Sequence, residues 1–310
     1  MLPLVEKYRP SKVADCILPA SIKKTFEDIV RTGEVPNMIL AGGAGCGKTT
    51  VAVAMCKELG LDYLFINASE DNGIDVLRTR IRNFASTVSL SGGKKVVILD
   101  EADYLNPQST QPALRGAIEE FANNCRFVLT CNFKTRIIEP LHSRCTVIDF
   151  KIPAKEKPTL AGQFLDRAKM IMDSEGVQYE EKAVAELIIR YYPDFRKTLN
   201  TIQRHALSGS INASVLSNGK DIEIDALIKA MKSKSFPEIR KWVVDNSDRE
   251  PASLFRKIYE GIQDKVEMGS IPQAVLILGE YQYKSAFVAD QELNLVACCL
   301  MLASDCTFTK

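Results

Sequence analysis

Histidine is nearly absent from this chain, and long apolar runs are missing altogether. There are two histidines in 310 residues, and nine cysteines of which no two stand in the spacing of a zinc clip. That leaves no ligand set for a zinc cage. An odd cysteine count without a leading apolar segment points to reduced thiols in a cytosol-like compartment, most of them small buried hydrophobes. The opening MLPLVEKYRP has no basic start followed by an apolar core. The most apolar late run, LNLVACCLMLAS, is too short to span a bilayer. A soluble, cytoplasmic protein with no membrane partner is expected. Excess charge is missing too: 40 basic and 39 acidic side chains leave a formal net charge of +1. No global basic field marks a nucleic-acid binder, so any such contact must rest on local clusters. The chain has no internal repeat and no low-complexity tract.

What is present is ordinary globular composition, 46% hydrophobic and 25% charged, enough for two or three domains with cores. NMILAGGAGCGKTTVAVAMCKELG predicts strand, glycine loop and helix. LDYLFINAS, KKVVILDEAD, CRFVLTCN and CTVIDF predict further strands. Ile74, Leu77, Ile81, Phe84, Ala85 and Val88 share one face of a helix, and ALRGAIEEFA predicts another. Strands alternating with helices imply an α/β fold with a doubly wound parallel sheet and a ligand at the carboxyl ends of its strands. The proline- and lysine-rich KIPAKEKPT marks a boundary near residue 151. Beyond it only helices are expected. The anticipated division is a nucleotide-binding domain over 1–150, a small helical domain over 151–230 and a second all-helical domain over 231–310, with the single tryptophan, Trp242, in the last core.

Gly42, four residues, then Gly47-Lys48-Thr49 matches G-x-x-x-x-G-K-[ST] in full, after a predicted strand and at the start of a predicted helix. Glycines let backbone N–H groups converge on phosphate, and the helix adds its positive end. Lys48 is placed to neutralise the β/γ-phosphates of ATP, and the Thr49 hydroxyl to bind Mg2+. In VVILDEAD an apolar strand delivers Asp100, a second Mg2+ holder, and Glu101, which would polarise the attacking water. A plain glycine turn and a surface acidic turn are the bland readings of the two stretches. Asn132 ends the strand beside Asp100. It could order the lytic water or merely sit in a turn. The letters DEAD suggest an RNA helicase, but that class needs a second ATPase-fold domain, and none is expected after residue 151.

Taken in order, EKYRP, the phosphate loop, GIDVLRTRIRNFAST, VVILDEAD, QPALRGAIEE, SRC and PDFRKTLN resemble the AAA+ ATPases, and more narrowly the sliding-clamp loaders. They are similar to replication factor C small subunits and most of all to the ATP-hydrolysing large subunits of T4-type bacteriophage clamp loaders. The motifs span residues 5–200; the tail matches in length and helical character. The resemblance implies that Val5, Glu6, Lys7, Tyr8 and Arg9 form a strap on adenine and ribose, with Ile17 as an apolar wall. It implies that Gly45, Cys46, Gly47, Lys48, Thr49 and Thr50 contact phosphate, and that Arg196 is a sensor arginine laid on the nucleotide by a helical lid. Arg144 resembles an arginine finger aimed at the neighbouring subunit's ATP, the alternative being a helix-capping arginine. The last domain would be an oligomerising collar.

The resemblance also places the Ile74 helix against primer–template DNA. Arg78 and Arg82 are the candidate phosphate contacts, unless they are simply solvated. Asn72 stands where many replication factor C sequences carry a basic residue. Val88 and Leu90 would anchor the helix tip on the ring-shaped clamp. Gln111 and Arg115 either link DNA to the carboxylates or form a helix-surface salt bridge. The partners implied are a sliding clamp, primer–template DNA, further copies of the chain and a distinct non-ATPase subunit. Two other readings are a branch-migration motor and a non-catalytic scaffold subunit. The scaffold is disfavoured because Lys48, Thr49, Asp100, Glu101 and Arg144 are all present.

Overall fold

The computed structural model describes residues 3–70, 73–89, 93–206, 210–211, 224–247 and 251–309. Asn72 and Leu90 lie outside them. The chain forms two compact units, Met1–Ser217 and Asn218–Lys310.

The first unit is built on five parallel strands: β1 (Met38–Ala41), β2 (Tyr63–Asn67), β3 (Lys95–Asp100), β4 (Cys125–Cys131) and β5 (Thr146–Asp149), in the order β2-β3-β4-β1-β5. β1 and β4 are central and covered on both faces, which is why their sequences run apolar without alternation. The two-residue period appears instead in which core each side chain enters. Met38, Leu40, Val96, Ile98 and Val128 pack under α2 (Ala20–Thr32) and α3 (Lys48–Glu58). Ile39, Val97, Leu99, Phe127 and Leu129 pack under α4 (Ile74–Ala85) and α5 (Thr110–Glu120). This is the doubly wound α/β sheet expected. On α4, Leu77, Ile81 and Ala85 are buried, but the helix stops at Ala85, so Val88 falls off its buried face and is 87% exposed.

The phosphate loop sits where β1 gives way to α3. The short α6 (Glu139–His142) leads through Arg144 into β5. The same unit then adds α7 (Lys157–Ser174), α8 (Glu181–Tyr191) and α9 (Phe195–Ala206), packed around Phe164, Ile171, Leu187 and Ile202. The expectation of helices alone after 151 is corrected here. Gln178–Tyr179 (β6) and Ser210–Ile211 (β7) pair in parallel. Two-residue strands are too short to show any period. At the N-terminus, α1 (Leu4–Lys7) belongs to this helical core through Leu4.

The second unit contains α10 (Ile224–Lys232), α11 (Phe236–Asp245), α12 (Pro251–Ile262), α13 (Ile271–Lys284) and α14 (Gln291–Asp305). The expected boundary at 231 falls inside α10. Leu227, Ile228 and Met231 pack with Trp242, Phe255 and Leu302, so this helix belongs with the C-terminal core. Its i, i+3, i+4, i+7 pattern from Ile224 carried that information. Among the described residues no helix is long and apolar enough to cross a membrane.

Candidate nucleotide site

Three carboxyl strand ends and one glycine loop make the floor of a cleft. Gly45 and Gly47 take φ of +69° and +93°, left-handed values that bring the loop's N–H groups round to one side. Lys48 Nζ, with its side chain buried, donates to the carbonyls of Gly42 and Gly43, both at 2.7 Å, and to Asn132 Oδ1 at 3.1 Å. The ammonium is thus held at the centre of the loop beside the end of β4. Thr49 Oγ1 donates to Asp100 Oδ1 at 2.5 Å. One hydroxyl and one carboxylate side by side at a helix N-terminus form the hard-oxygen set that suits Mg2+, so these residues fit that ion. Asp103 Oδ2 accepts the backbone N–H groups of Asn132 at 3.3 Å and Phe133 at 3.2 Å, fixing the turn that presents the Asn132 amide. Burial pushes the Cys46 thiol above its ordinary range despite the nearby Lys48.

The helical segment forms the other wall. Val5, Tyr8, Arg9 and Ile17 line the cleft, as do Gly45, Cys46, Gly47, Thr50, Glu101 and Arg196. Val5 on α1 and Tyr8 and Arg9 just past its end come round to the cleft side, while Glu6 and Lys7 do not line it. Glu6 accepts from Arg9 Nη2 at 2.6 Å, and Lys7 pairs with Glu175 at 2.5 Å. Tyr8 Oη donates to the same Glu175 oxygen at 2.6 Å, and the Leu4 N–H donates to Gln203 Oε1 at 3.0 Å. The strap is therefore tied to α7 and α9. Hydrogen bonds from Lys7 and Tyr8 hold the Glu175 carboxyl below its usual range, and the bond to Glu175 holds Lys7 and Tyr8 above theirs.

Sequence reasoning missed several wall residues. Phe164 and Phe195 stack at 4.3 Å and, with Leu199, give the cleft an apolar side. Arg167 also lines it and donates to the Asp15 carbonyl at 2.8 Å. The apolar stripes of α7 and α9 were visible, but nothing in a stripe says that its edge faces a ligand rather than a core.

Other expected site residues stand elsewhere. Arg144 is not among the cleft's lining residues; it lies on α5 through Glu119. Arg78 and Arg82 are exposed along a groove between α4 and α5, with Arg82 Nη2 3.3 Å from Glu120 Oε1. Gln111 is fully buried and so is no surface salt-bridge partner, whereas Arg115 is exposed.

Residues 38–152 match the ATPase family associated with various cellular activities (AAA). Residues 156–217 match the AAA+ ATPase lid domain of the sliding-clamp-loader large subunit. The sliding-clamp-loader large subunit of Enterobacteria phage T4 is 36% identical to this chain, over 97% of this chain and 96% of the phage protein. The replication factor C small subunit of Halobacterium salinarum is 30% identical over 94% of this chain and 93% of its own. Among solved structures, Thermotoga maritima RuvB, a Holliday junction branch migration motor, superposes with a TM-score of 0.55 at 20% identity. It covers 72% of this chain and 78% of its own, a likeness of fold.

Proposed function

The chain belongs to the AAA+ clamp-loader family of phage large subunits and replication factor C small subunits, and from that premise we propose that it hydrolyses ATP to place a sliding clamp on primed DNA. The observation that carries this is the meeting of Lys48, Thr49, Asp100, Glu101 and Asn132 at one cleft walled by Arg196, while Arg144 stands off it.

Each residue's task follows from its place. Tyr8, Val5 and Ile17 form the apolar side that receives adenine, and Gly45–Thr50 offer N–H groups to the phosphates. Lys48 exchanges loop carbonyls for phosphate oxygens. Thr49 and Asp100 would hold Mg2+, which neutralises charge on the phosphates. Glu101 takes a proton from the attacking water and Asn132 orients that water. Arg196, carried by α9, closes on the phosphates only when they are there to attract it. Arg144 serves the ATP of an adjacent copy, so hydrolysis requires assembly. Arg78 and Arg82 contact the phosphates of primer–template DNA, and Val88 helps grip the clamp. The assembly would contain several copies of this chain and a non-ATPase subunit, joined through the C-terminal helices.

The test is an ATPase assay of the purified assembly with and without primed DNA and clamp. Joint stimulation is expected. An isolated monomer that turns over at the full rate, indifferent to both, would refute the reading.

A further inference from the structure

Two hydroxyls meet one carboxylate oxygen at the end of β3. Asp100 Oδ1 accepts from Thr49 Oγ1 and also from Thr130 Oγ1, the latter at 2.6 Å. The same Thr130 oxygen accepts the backbone N–H of Glu101 at 3.1 Å. Thr130 is 1% exposed. It stands on β4, one step beyond the last paired couple, Leu99 with Leu129, so the parallel register puts it beside Asp100. Its strand neighbours Phe127, Val128, Leu129 and Cys131 are apolar and buried. Valine is the residue such a site would take for packing alone; the hydroxyl is the departure, and it is spent on two functional groups. The hydroxyl donates to the carboxylate and accepts from the amide at once, which an isosteric valine cannot do.

Glu101 gives that amide bond its meaning. Its backbone sits at φ 56°, ψ 41°, the left-handed region that non-glycine residues seldom enter. A conformation of that kind persists when its surroundings fix it. Thr130 supplies one such tie from the neighbouring strand. The tie is reciprocal, since Asp103, two residues past Glu101, holds the backbone of Asn132, two residues past Thr130.

We infer that Thr130 is a positioning residue that sets the Asp100 carboxylate and the Glu101 peptide in register for hydrolysis. This rests on the roles proposed above for Asp100 and Glu101. The experiment compares Thr130→Val and Thr130→Ser with Asp100→Asn and Glu101→Gln, all in the full chain within its assembly. With Thr130→Val, turnover stimulated by primed DNA and clamp is expected to fall about 10- to 100-fold, the loss of a hydrogen bond to a charged group. Binding of a fluorescent ATP analogue in excess EDTA should stay within about twofold of wild type, while the affinity gained on adding Mg2+ shrinks. Thr130→Ser, which keeps the hydroxyl and drops the methyl, should recover turnover to within about threefold. The inference is overturned if Thr130→Val turns over normally, if Thr130→Ser is as slow as Thr130→Val, or if EDTA binding falls in step with turnover. Should Thr130→Val fail to fold, Thr130→Cys, a weaker donor and acceptor, replaces it under the same criteria. If Asp100→Asn and Glu101→Gln both hydrolyse normally, the catalytic reading itself fails. If both are inert and Thr130→Val is unimpaired, only the positioning role fails.

Discussion

Arg144 lies against Glu119, its Nε and Nη2 donating to the same carboxylate oxygen at 2.8 and 2.5 Å. Nη1 donates to the Pro140 carbonyl at 2.8 Å. Glu119 sits in the last turn of α5, so the guanidinium is parked on the flank of its own domain. Both side chains are partly exposed, at 32% and 56%, and such a pair contributes about 1 kcal/mol or less. A triphosphate offered by a neighbour is the stronger partner.

Arg144→Ala should therefore leave ATP binding within about twofold of wild type and lower stimulated turnover by ~10³. Titration with an ATP analogue and a steady-state assay on the same preparation separate the two effects. Nucleotide binding lost to the same degree as turnover would rule out a role in trans. Glu119→Gln should cost about 1 kcal/mol or less in urea unfolding.

Docking of the strap depends on pH through Glu175 and Lys7. Glu175 is depressed, so its contribution to docking is complete above the ordinary carboxylate range and is lost as pH falls through its lowered value. Lys7 is raised, so its contribution is complete below 10.5 and is lost as pH rises through its higher value. Docking should hold through neutral pH and fail at both ends. Hydrogen exchange at the Leu4 amide, bonded to Gln203, reads it directly. At pH 7, Glu175→Gln should speed that exchange and weaken ATP binding without changing turnover at saturating ATP. An unchanged Leu4 amide would show that Glu175 does not anchor the strap.

Two glycines should respond in opposite ways to alanine. At Gly45 a Cβ would lie 1.9 Å from Asp194 Oδ1 and 3.0 Å from Asp194 Cα, and φ is +69°. A rotamer change frees the oxygen but not the backbone, so α9 must shift from the loop. Gly45→Ala should cost ~1–2 kcal/mol in stability and lower ATP affinity as well. At Gly162, within α7, a Cβ would meet nothing within 4 Å beyond its chain neighbours and its own helix backbone. Gly162→Ala should stabilise by ~0.5–1 kcal/mol. Urea midpoints that move in the same direction would contradict the steric account.

The contrast between those glycines also marks what could be read in advance. The loop at Gly42–Thr49 and the carboxylates at 100 and 101 follow from spacing alone, because phosphate demands many N–H groups and a metal demands oxygen at a strand end. The outward turn of Glu6 and Lys7 is not legible in EKYRP read as a strap, because it depends on the helical turn at Leu4–Lys7. Thr130 was hidden by its company: in RFVLTCN a threonine passes for one more β-branched core residue, and only the register beside Asp100 reveals its hydroxyl. Long-range ties of this kind leave no local period.

Gln111 makes such a tie with three backbone groups. Its Nε2 donates to the carbonyls of Leu105 and Arg136 at 3.0 and 2.9 Å, and its Oε1 accepts the Ile138 N–H at 2.8 Å. Leu105 follows the Asp100–Glu101 turn, and Arg136 and Ile138 follow Asn132, so one amide on α5 binds together both loops that leave β3 and β4. Leucine has similar bulk but can satisfy none of the three backbone groups. Each buried polar group left unpaired costs about 1–3 kcal/mol, and the three losses overlap, so Gln111→Leu should destabilise by ~2–5 kcal/mol. Arg115, one turn further on and exposed, is the internal control: Arg115→Ala should stay within ~0.5 kcal/mol. Urea unfolding of the two variants decides the matter. A Gln111→Leu protein as stable as Arg115→Ala would mean that the three backbone groups find other partners. The two loops would then be held by packing around Leu105 and Ile137 rather than by the amide.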